Sequence, residues 1–183
     1  MVDVRTGMVV VGGGFVGLAI AWQAARTGRD VVVVDPAAGE AASWVAAGML
    51  APASESWFGE EPLLRLNLLA VDRFRAFAAE LETATGADVG LRRDGTLAVG
   101  YDPGDRAVLA RSAALRRAYG LPVEELDRAA CRRLEPFLSA DVQSGVLADG
   151  DWSVDNRRYL AALRTAVTEA GVGQLTGRVV RLD

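Results

Sequence analysis

Two residue types are missing from this chain of 183 residues, and a third is almost missing. It contains no Lys, no His and one Cys, Cys131. Without Lys there is neither a P-loop ATPase of the usual type nor a lysine Schiff base. Without His there is no Ser/His/Asp triad and no histidine-bearing metal site. A lone cysteine cannot close an internal disulfide, which fits a reducing compartment. No apolar run reaches the ~18 residues of a membrane-crossing helix. The start, MVDVRTGMVVVGGG, lacks the order of a signal peptide because glycine interrupts the apolar run early. The expectation is a soluble cytoplasmic protein.

A basic field is also lacking. All 20 basic residues are Arg, set against 24 acids for a net charge of -4. Residues 1–62 hold three Arg against seven acids, and the remainder is balanced at seventeen of each. Nucleic acid and anionic membrane are therefore poor partners. At 51% hydrophobic residues the chain is long enough and apolar enough for one or two packed domains.

What is present is sharply patterned at the start. Met8 to Val11 is a short β-branched run of the kind a buried parallel strand shows. It meets Gly12-Gly13-Gly14, after which Val16, Ala19, Ile20 and Ala24 repeat at helical spacing up to Gly28. Val31 to Val34 is a second apolar run, closed by Asp35-Pro36. Strand, glycine turn, helix and strand within ~30 residues predict a right-handed βαβ unit.

Gly12, Gly14 and Gly17 form G-x-G-x-x-G at the strand-to-helix turn. Gly12 permits the tight turn, Gly14 lets a pyrophosphate come against the backbone, and Gly17 lets helix and strand pack closely. Ala21 and Gly28 are small where the helix lies against the sheet. The anion sits on exposed N–H groups and the positive end of the helix dipole, so no basic side chain is required. Asp35 lies 23 residues after Gly12, at the end of the second strand, where a carboxylate accepts from an adenosine ribose hydroxyl and repels a 2′-phosphate. These features together predict dinucleotide binding, whereas the glycine motif alone would be weak. NAD and FAD share this half-site. The small-residue stretch Ala37 to Gly48, followed by a hairpin signal instead of more βα units, favours FAD.

Further along, Leu63 to Thr85 predicts a one-faced helix whose core stripe is Leu66, Leu69, Ala70, Phe74, Phe77 and Leu81. Asp94-Gly95, between two extended runs over 91–100, predicts a hairpin. Asp105 to Tyr119 reads as a helix with Arg111, Arg116 and Arg117 on a solvated face. Asp127 caps a short helix ending before Pro136, Gly145 to Ala148 is a strand, and Asp155 caps a helix running to Ala170. Val179 to Leu182 reads as a final strand. Cys131 reads as inert and Glu55 as an exposed loop acid. Trp44 and Trp152 read as buried area rather than ligand contacts.

The stretch Ala42-Ser43-Trp44-Val45-Ala46-Ala47-Gly48-Met49-Leu50-Ala51-Pro52, with Ser54-Glu55, resembles the signature after the second strand in glycine oxidases of thiamine biosynthesis, which are D-amino-acid-oxidase-like flavoproteins. Gly150-Asp151-Trp152-Ser153-Val154-Asp155-Asn156-Arg157 resembles the wider superfamily's approach to the helix that re-enters the FAD domain. That superfamily includes sarcosine oxidases and D-amino-acid dehydrogenases.

The resemblance implies an α/β fold: an incomplete Rossmann-like FAD-binding βαβ domain at 1–86 and 153–183, and part of an α+β substrate-binding domain at 87–152. It implies FAD as cofactor, with the backbone at Gly14, Phe15 and Val16 facing the pyrophosphate and Asp35 the ribose. Ala42 and Ser43 begin a second helix aimed at the cofactor, Ala47, Gly48 and Met49 run beside the flavin ring, and Val179 holds the adenine from its backbone. Asp35 departs from the family's commoner Glu by one methylene. The implied activity is oxidation of glycine or another small amino acid or amine by O2. Family members continue into a second half carrying a carboxylate-gripping arginine and a substrate-facing tyrosine, so the expectation is a truncated oxidase, inactive alone. A homo-oligomer is compatible with this pattern. The alternative readings are a non-catalytic module binding FAD or NAD, and a flavoenzyme like the sarcosine oxidases or D-amino-acid dehydrogenases.

Overall fold

The computed structural model describes residues 6–37 and 41–181. In chain order the elements are β1 (Met8–Val11), α1 (Phe15–Arg26), β2 (Val31–Asp35), α2 (Ala42–Val45), β3 (Met49–Leu50) and α3 (Glu61–Thr85). There follow β4 (Thr96–Gly100), α4 (Pro103–Ala118), β5 (Glu124–Asp127), α5 (Arg128–Leu134), β6 (Ser144–Ala148), β7 (Trp152–Ser153), α6 (Asn156–Glu169) and β8 (Gly173–Thr176). They divide into two compact units: 1–48 with 76–90 and 154–183, and 49–75 with 91–153. Residues 49–75, which the sequence reading groups with the first domain, fall in the second unit.

The first unit is built on a parallel sheet ordered β1-β2-β8. The central strand is β2, and its Val31, Val32 and Val33 are all buried, as a near-continuous β-branched run requires. Register pairs Val11 with Val34 and Asp35 with Thr176, so the carboxyl ends of the three strands lie together. Helix α1 buries Leu18, Ala21 and Trp22. Helix α6 buries Tyr159, Leu160, Leu163, Ala166 and Val167, an i, i+1, i+4, i+7, i+8 stripe. Aromatic rings join the elements: Trp22 meets Phe77 edge-on at 5.2 Å, and Tyr159 lies 5.3 Å from Phe15 and 6.4 Å from Phe77. Burial pushes the Tyr159 hydroxyl up to about 12, so it stays neutral.

The second unit carries an antiparallel sheet ordered β4-β6-β5 and a short β3-β7 ladder. Its core gathers Leu126, Cys131 and Val142, with Leu97, Val99 and Leu147 packed against them. Burial raises the Cys131 thiol above its ordinary value, with Asp127 adding to the effect. A buried, protonated thiol is unreactive.

Several expectations change. Asp94-Gly95 makes no hairpin: Arg92 bridges Ser153, while β4 pairs with β6. The turn geometry is real, since Gly95 has φ +75°, but its N–H donates to the Asp151 carbonyl and not across a two-stranded loop. Helix α4 starts at Pro103 under an Asp102 cap, with proline in its first turn. Arg116 is buried, not solvated. In α3 the inward residues are Leu64, Ala78 and Leu81, with Phe74 and Phe77 half-buried, whereas Leu66 and Leu69 are more than 60% exposed. The last strand is β8, and Val179 to Arg181 form no strand, with Leu182 outside the described residues. Gly28 has open space where a Cβ would stand, so it serves the left-handed backbone (φ +81°) after α1 rather than close packing.

Asp155 caps α6 through hydrogen bonds from the Arg157 and Arg158 amides, both 3.0 Å. The Arg158 amide, followed by the Arg157 amide and the two arginine charges, holds its carboxyl below the ordinary value. A carboxyl depressed in the folded state stabilises above the unfolded pKa of about 3.9, and that contribution is lost as pH falls through the lower folded value. Asp155→Ala should therefore lower Tm at pH 7, and its difference from wild type should narrow below about pH 4. Thermal melts of both proteins from pH 3 to 8 check this.

Candidate functional site

The β1-to-α1 turn follows from what lacks a side chain. A Cβ at Gly17 would collide with the Gly12 carbonyl oxygen, so helix and turn touch backbone to backbone. Gly12 takes φ +105°, and its N–H donates to the Val34 carbonyl at 2.9 Å. Asp35 reaches under the turn: Oδ2 accepts from the Gly13 amide and Oδ1 from the Ala37 amide, each at 2.7 Å. The expected ribose acceptor is thus also a clasp on the turn. Each carboxylate oxygen can accept more than one hydrogen bond, so the two duties are compatible.

A Cβ at Gly14 would stand 2.8 Å from Ser43 Oγ, and that hydroxyl accepts from the Phe15 amide at 3.1 Å. Ser43 therefore ties α2 to the N-terminus of α1, a link that sequence spacing did not reveal. The first turn of α1 contains no acid to neutralise its dipole. Val16 is 73% exposed beside it. Ala42 and Ala47 are exposed. Gly48 packs so closely that a Cβ would strike the Val154 carbonyl, whose own amide donates to Gly48 O at 2.8 Å. Asn156, another residue whose role the sequence did not reveal, donates to the Ser43 and Trp44 carbonyls at 3.0 and 2.8 Å. Arg157 stacks over the Trp44 ring at 4.7 Å. Val179 lies half-buried in coil after Gly177, whose amide donates to Asp35 O at 3.1 Å.

Below the turn, at the carboxyl ends of β2 and β8, a cleft of about 70 Å³ is lined by Gly13, Asp35, Arg164, Gln174 and Thr176 among others. Arg164 Nη2 is buried there and has no hydrogen-bond partner among the described residues.

In the second unit a pocket of about 220 Å³ is lined by Met49, Leu50, Pro52, Glu55, Asn67 and Phe74 among others. Met49 is about half exposed, in β3. Glu55 is exposed, as expected for a loop acid. The loop forming one wall is held from behind. The buried Asp151 carboxylate accepts from the Ala53 and Ser54 amides, each at 3.0 Å, and Arg116 Nη2 donates to the Ser54 carbonyl at 2.9 Å. Desolvation lowers the Arg116 pKa and the nearby Asp151 charge raises it. Its Nε and Nη1 have no hydrogen-bond partner among the described residues. Among the described residues no cluster of His, Cys, Asp and Glu could hold a metal, and no helix is long and apolar enough to cross a membrane.

A glycine turn on a parallel sheet, clasped by an acid at the end of the second strand, is the geometry of dinucleotide-binding proteins. The chain belongs to the FAD dependent oxidoreductase family, whose model matches residues 8–183. It is similar to the glycine oxidase of Geobacillus kaustophilus, at 32% identity over 169 residues, 91% of this chain and 45% of the relative. A crystal structure of glycine oxidase from Geobacillus kaustophilus superposes with a TM-score of 0.87 at 30% identity, covering 94% of this chain and 46% of that one. A putative thiamine biosynthesis oxidoreductase, ThiO, of Rhizobium etli is 36% identical over 180 residues, 96% of this chain and 50% of the relative. The chain spans about half the length of these relatives.

Two substitutions separate the reasons for glycine. Gly17→Ala must push helix from strand and should cost about 3 kcal/mol or more, whereas Gly28→Ala, strained only in its backbone, should cost about 1 kcal/mol. Urea unfolding measures both. A second pair tests the buried clasp. Asp151→Ala strands two buried amides beside a buried guanidinium and should cost about 3 kcal/mol or more. Arg116→Met removes a side chain already short of partners and should cost clearly less. Equal losses in the same unfolding assay would contradict this ranking.

Proposed function

We propose that the first unit binds FAD and that the second forms part of the substrate side of a glycine oxidase acting on glycine or another small amino acid or amine. The observation that carries this reading is the β1–α1 turn closed on Gly17 and clasped by Asp35, in a family whose cofactor is FAD. The fit is physical. Gly14 keeps the backbone bare beside Ser43, and α1 opens on amides with no acid among them.

Bound FAD would supply the redox chemistry, a two-electron oxidation of the amine to an oxo acid and ammonia with O2 reduced to hydrogen peroxide. The chain's own residues bind and orient. On this reading the amides at Gly14, Phe15 and Val16 face the pyrophosphate, with Gly12 and Gly17 shaping the turn. Asp35 receives the adenosine ribose and Val179 the adenine. Ala42 and Ser43 present α2, and Ala47, Gly48 and Met49 flank the flavin ring. Amino-acid oxidation also needs groups that grip the substrate carboxylate, and the resemblance assigns those to the part of the relatives not matched here. The 183 residues alone are therefore expected to give no turnover.

The test is a titration of the purified polypeptide with FAD and NADP. FAD should bind and raise Tm, because a ligand of the folded state stabilises it. NADP should bind far more weakly, since its 2′-phosphate meets the Asp35 carboxylate. Asp35→Ala should weaken FAD about tenfold, in line with loss of one charge-assisted hydrogen bond, and Gly14→Val should abolish binding. Tight NADP binding would overturn the assignment. Peroxide formed from glycine at about 1 per second or faster by this polypeptide with excess FAD would show that the substrate site is complete here.

A further inference from the structure

We propose that Arg164 is a further cofactor-side residue: through one bridging water in the cleft at the carboxyl ends of β2 and β8, it supports the adenosine ribose 2′-hydroxyl that Asp35 receives. The inference rests on the FAD reading above and adds a residue that neither the glycine motif nor its acid indicates.

Three observations converge. Arg164 lies on α6 among Leu160, Leu163 and Val167, all buried, so the sheet-facing side of the helix carries one cation where packing alone would favour an apolar residue. Its Nη2 is enclosed and has no hydrogen-bond partner among the described residues, a state that buried donors avoid unless a water or ligand supplies the acceptor. The cleft that Arg164 lines contains the Asp35 carboxylate, and Thr176 stands opposite Asp35 in the β2–β8 register.

The cleft, about 70 Å³, has room for an ordered water. An ordered water needs two to four polar partners, and Arg164, Asp35 and Thr176 supply three. Gln174 turns its amide nitrogen to Thr168 Oγ1 at 3.1 Å, which commits that group away from the other three. A guanidinium on the far side of this water also balances the Asp35 charge when a nucleotide covers it.

Calorimetric titration with ADP and with 2′-deoxy-ADP tests this on wild type, Arg164→Met and Arg164→Lys. Arg164→Met should weaken ADP, and FAD with it, by about five- to tenfold, and 2′-deoxy-ADP by less than about twofold, because the coupling runs through the missing hydroxyl. Arg164→Lys should recover part of the loss. An equal loss for both nucleotides would make Arg164 a packing residue and overturn the proposal. No loss for either would also overturn it. If wild type bound neither FAD nor ADP, the FAD reading would fall and this inference with it. If wild type bound FAD normally and Arg164→Met did too, only the inference would fall.

Discussion

The contact between Gly17 and the Gly12 carbonyl sets the geometry on which the first unit depends. Because no Cβ separates them, α1 lies against the end of β1, and Ala21 and Leu18 continue that contact down to the sheet. The same closeness brings Gly13 over the end of β2, where Asp35 accepts its amide at 2.7 Å. Once that hydrogen bond forms, the β1–β2 register and the start of α1 are no longer independent. A larger residue at position 17 would alter the packing, the acid's position and the orientation of the helix amides together.

Asp35 belongs to a wider habit of this chain. With no Lys and no His, it stabilises backbone turns with aspartates and spreads its arginines over aromatic rings. Asp102, Asp127 and Asp155 accept from amides at the starts of α4, α5 and α6. Asp151 does the same for the Ala53–Ser54 loop from nearly 100 residues away. Arg26, Arg75 and Arg157 stand over Trp22, Trp152 and Trp44 at 4.5 to 4.8 Å. A planar guanidinium stacks on an indole better than an ammonium does, so an all-arginine basic set suits these tryptophan contacts.

What was legible in the sequence was local. The βαβ unit, the caps at Asp127 and Asp155 and the stop at Gly171 each depend on residues within a few positions of one another. The misreadings involve distant partners. Asp94-Gly95 has the chemistry of a hairpin, but β4 pairs with β6, more than forty residues later, and nothing near Gly95 encodes that. Arg116 sits in a run of helix-surface residues and is buried because the Ser54 carbonyl, 62 positions earlier, takes its hydrogen bond. The last strand shows the same conflict between propensity and geometry. Val179 to Leu182 has the better β composition, yet the chain leaves α6 at Gly171 and reaches β2 at once, so Gly173 to Thr176 occupies the edge of the sheet. The hydrogen bonds made by Ser43 and Asn156, and the place of Arg164, escaped notice for a related reason. Each of the three is an ordinary polar residue in its own segment, and only folding gives it a role.

An acidic N-terminal segment can hold a polyphosphate because charge acts by position more than by sum. Residues 1–62 carry a net -4, but none of those acids lies in the first turn of α1. Asp35 is turned beneath the glycine loop and receives amide hydrogens from Gly13 and Ala37, which draw its negative charge toward the backbone. The amide dipoles at the start of α1 point the other way and remain effective over the first turn, where net charge is largely screened by solvent. On the FAD reading the pyrophosphate meets the helix end while the carboxylate meets the ribose, a few ångströms apart and opposite in preference. A cationic side chain on the turn itself would strengthen attraction for any anion, including a 2′-phosphate, whereas Arg164 shares its cleft with the Asp35 carboxylate. The bare backbone with an acid beside it gives up that general attraction and gains discrimination.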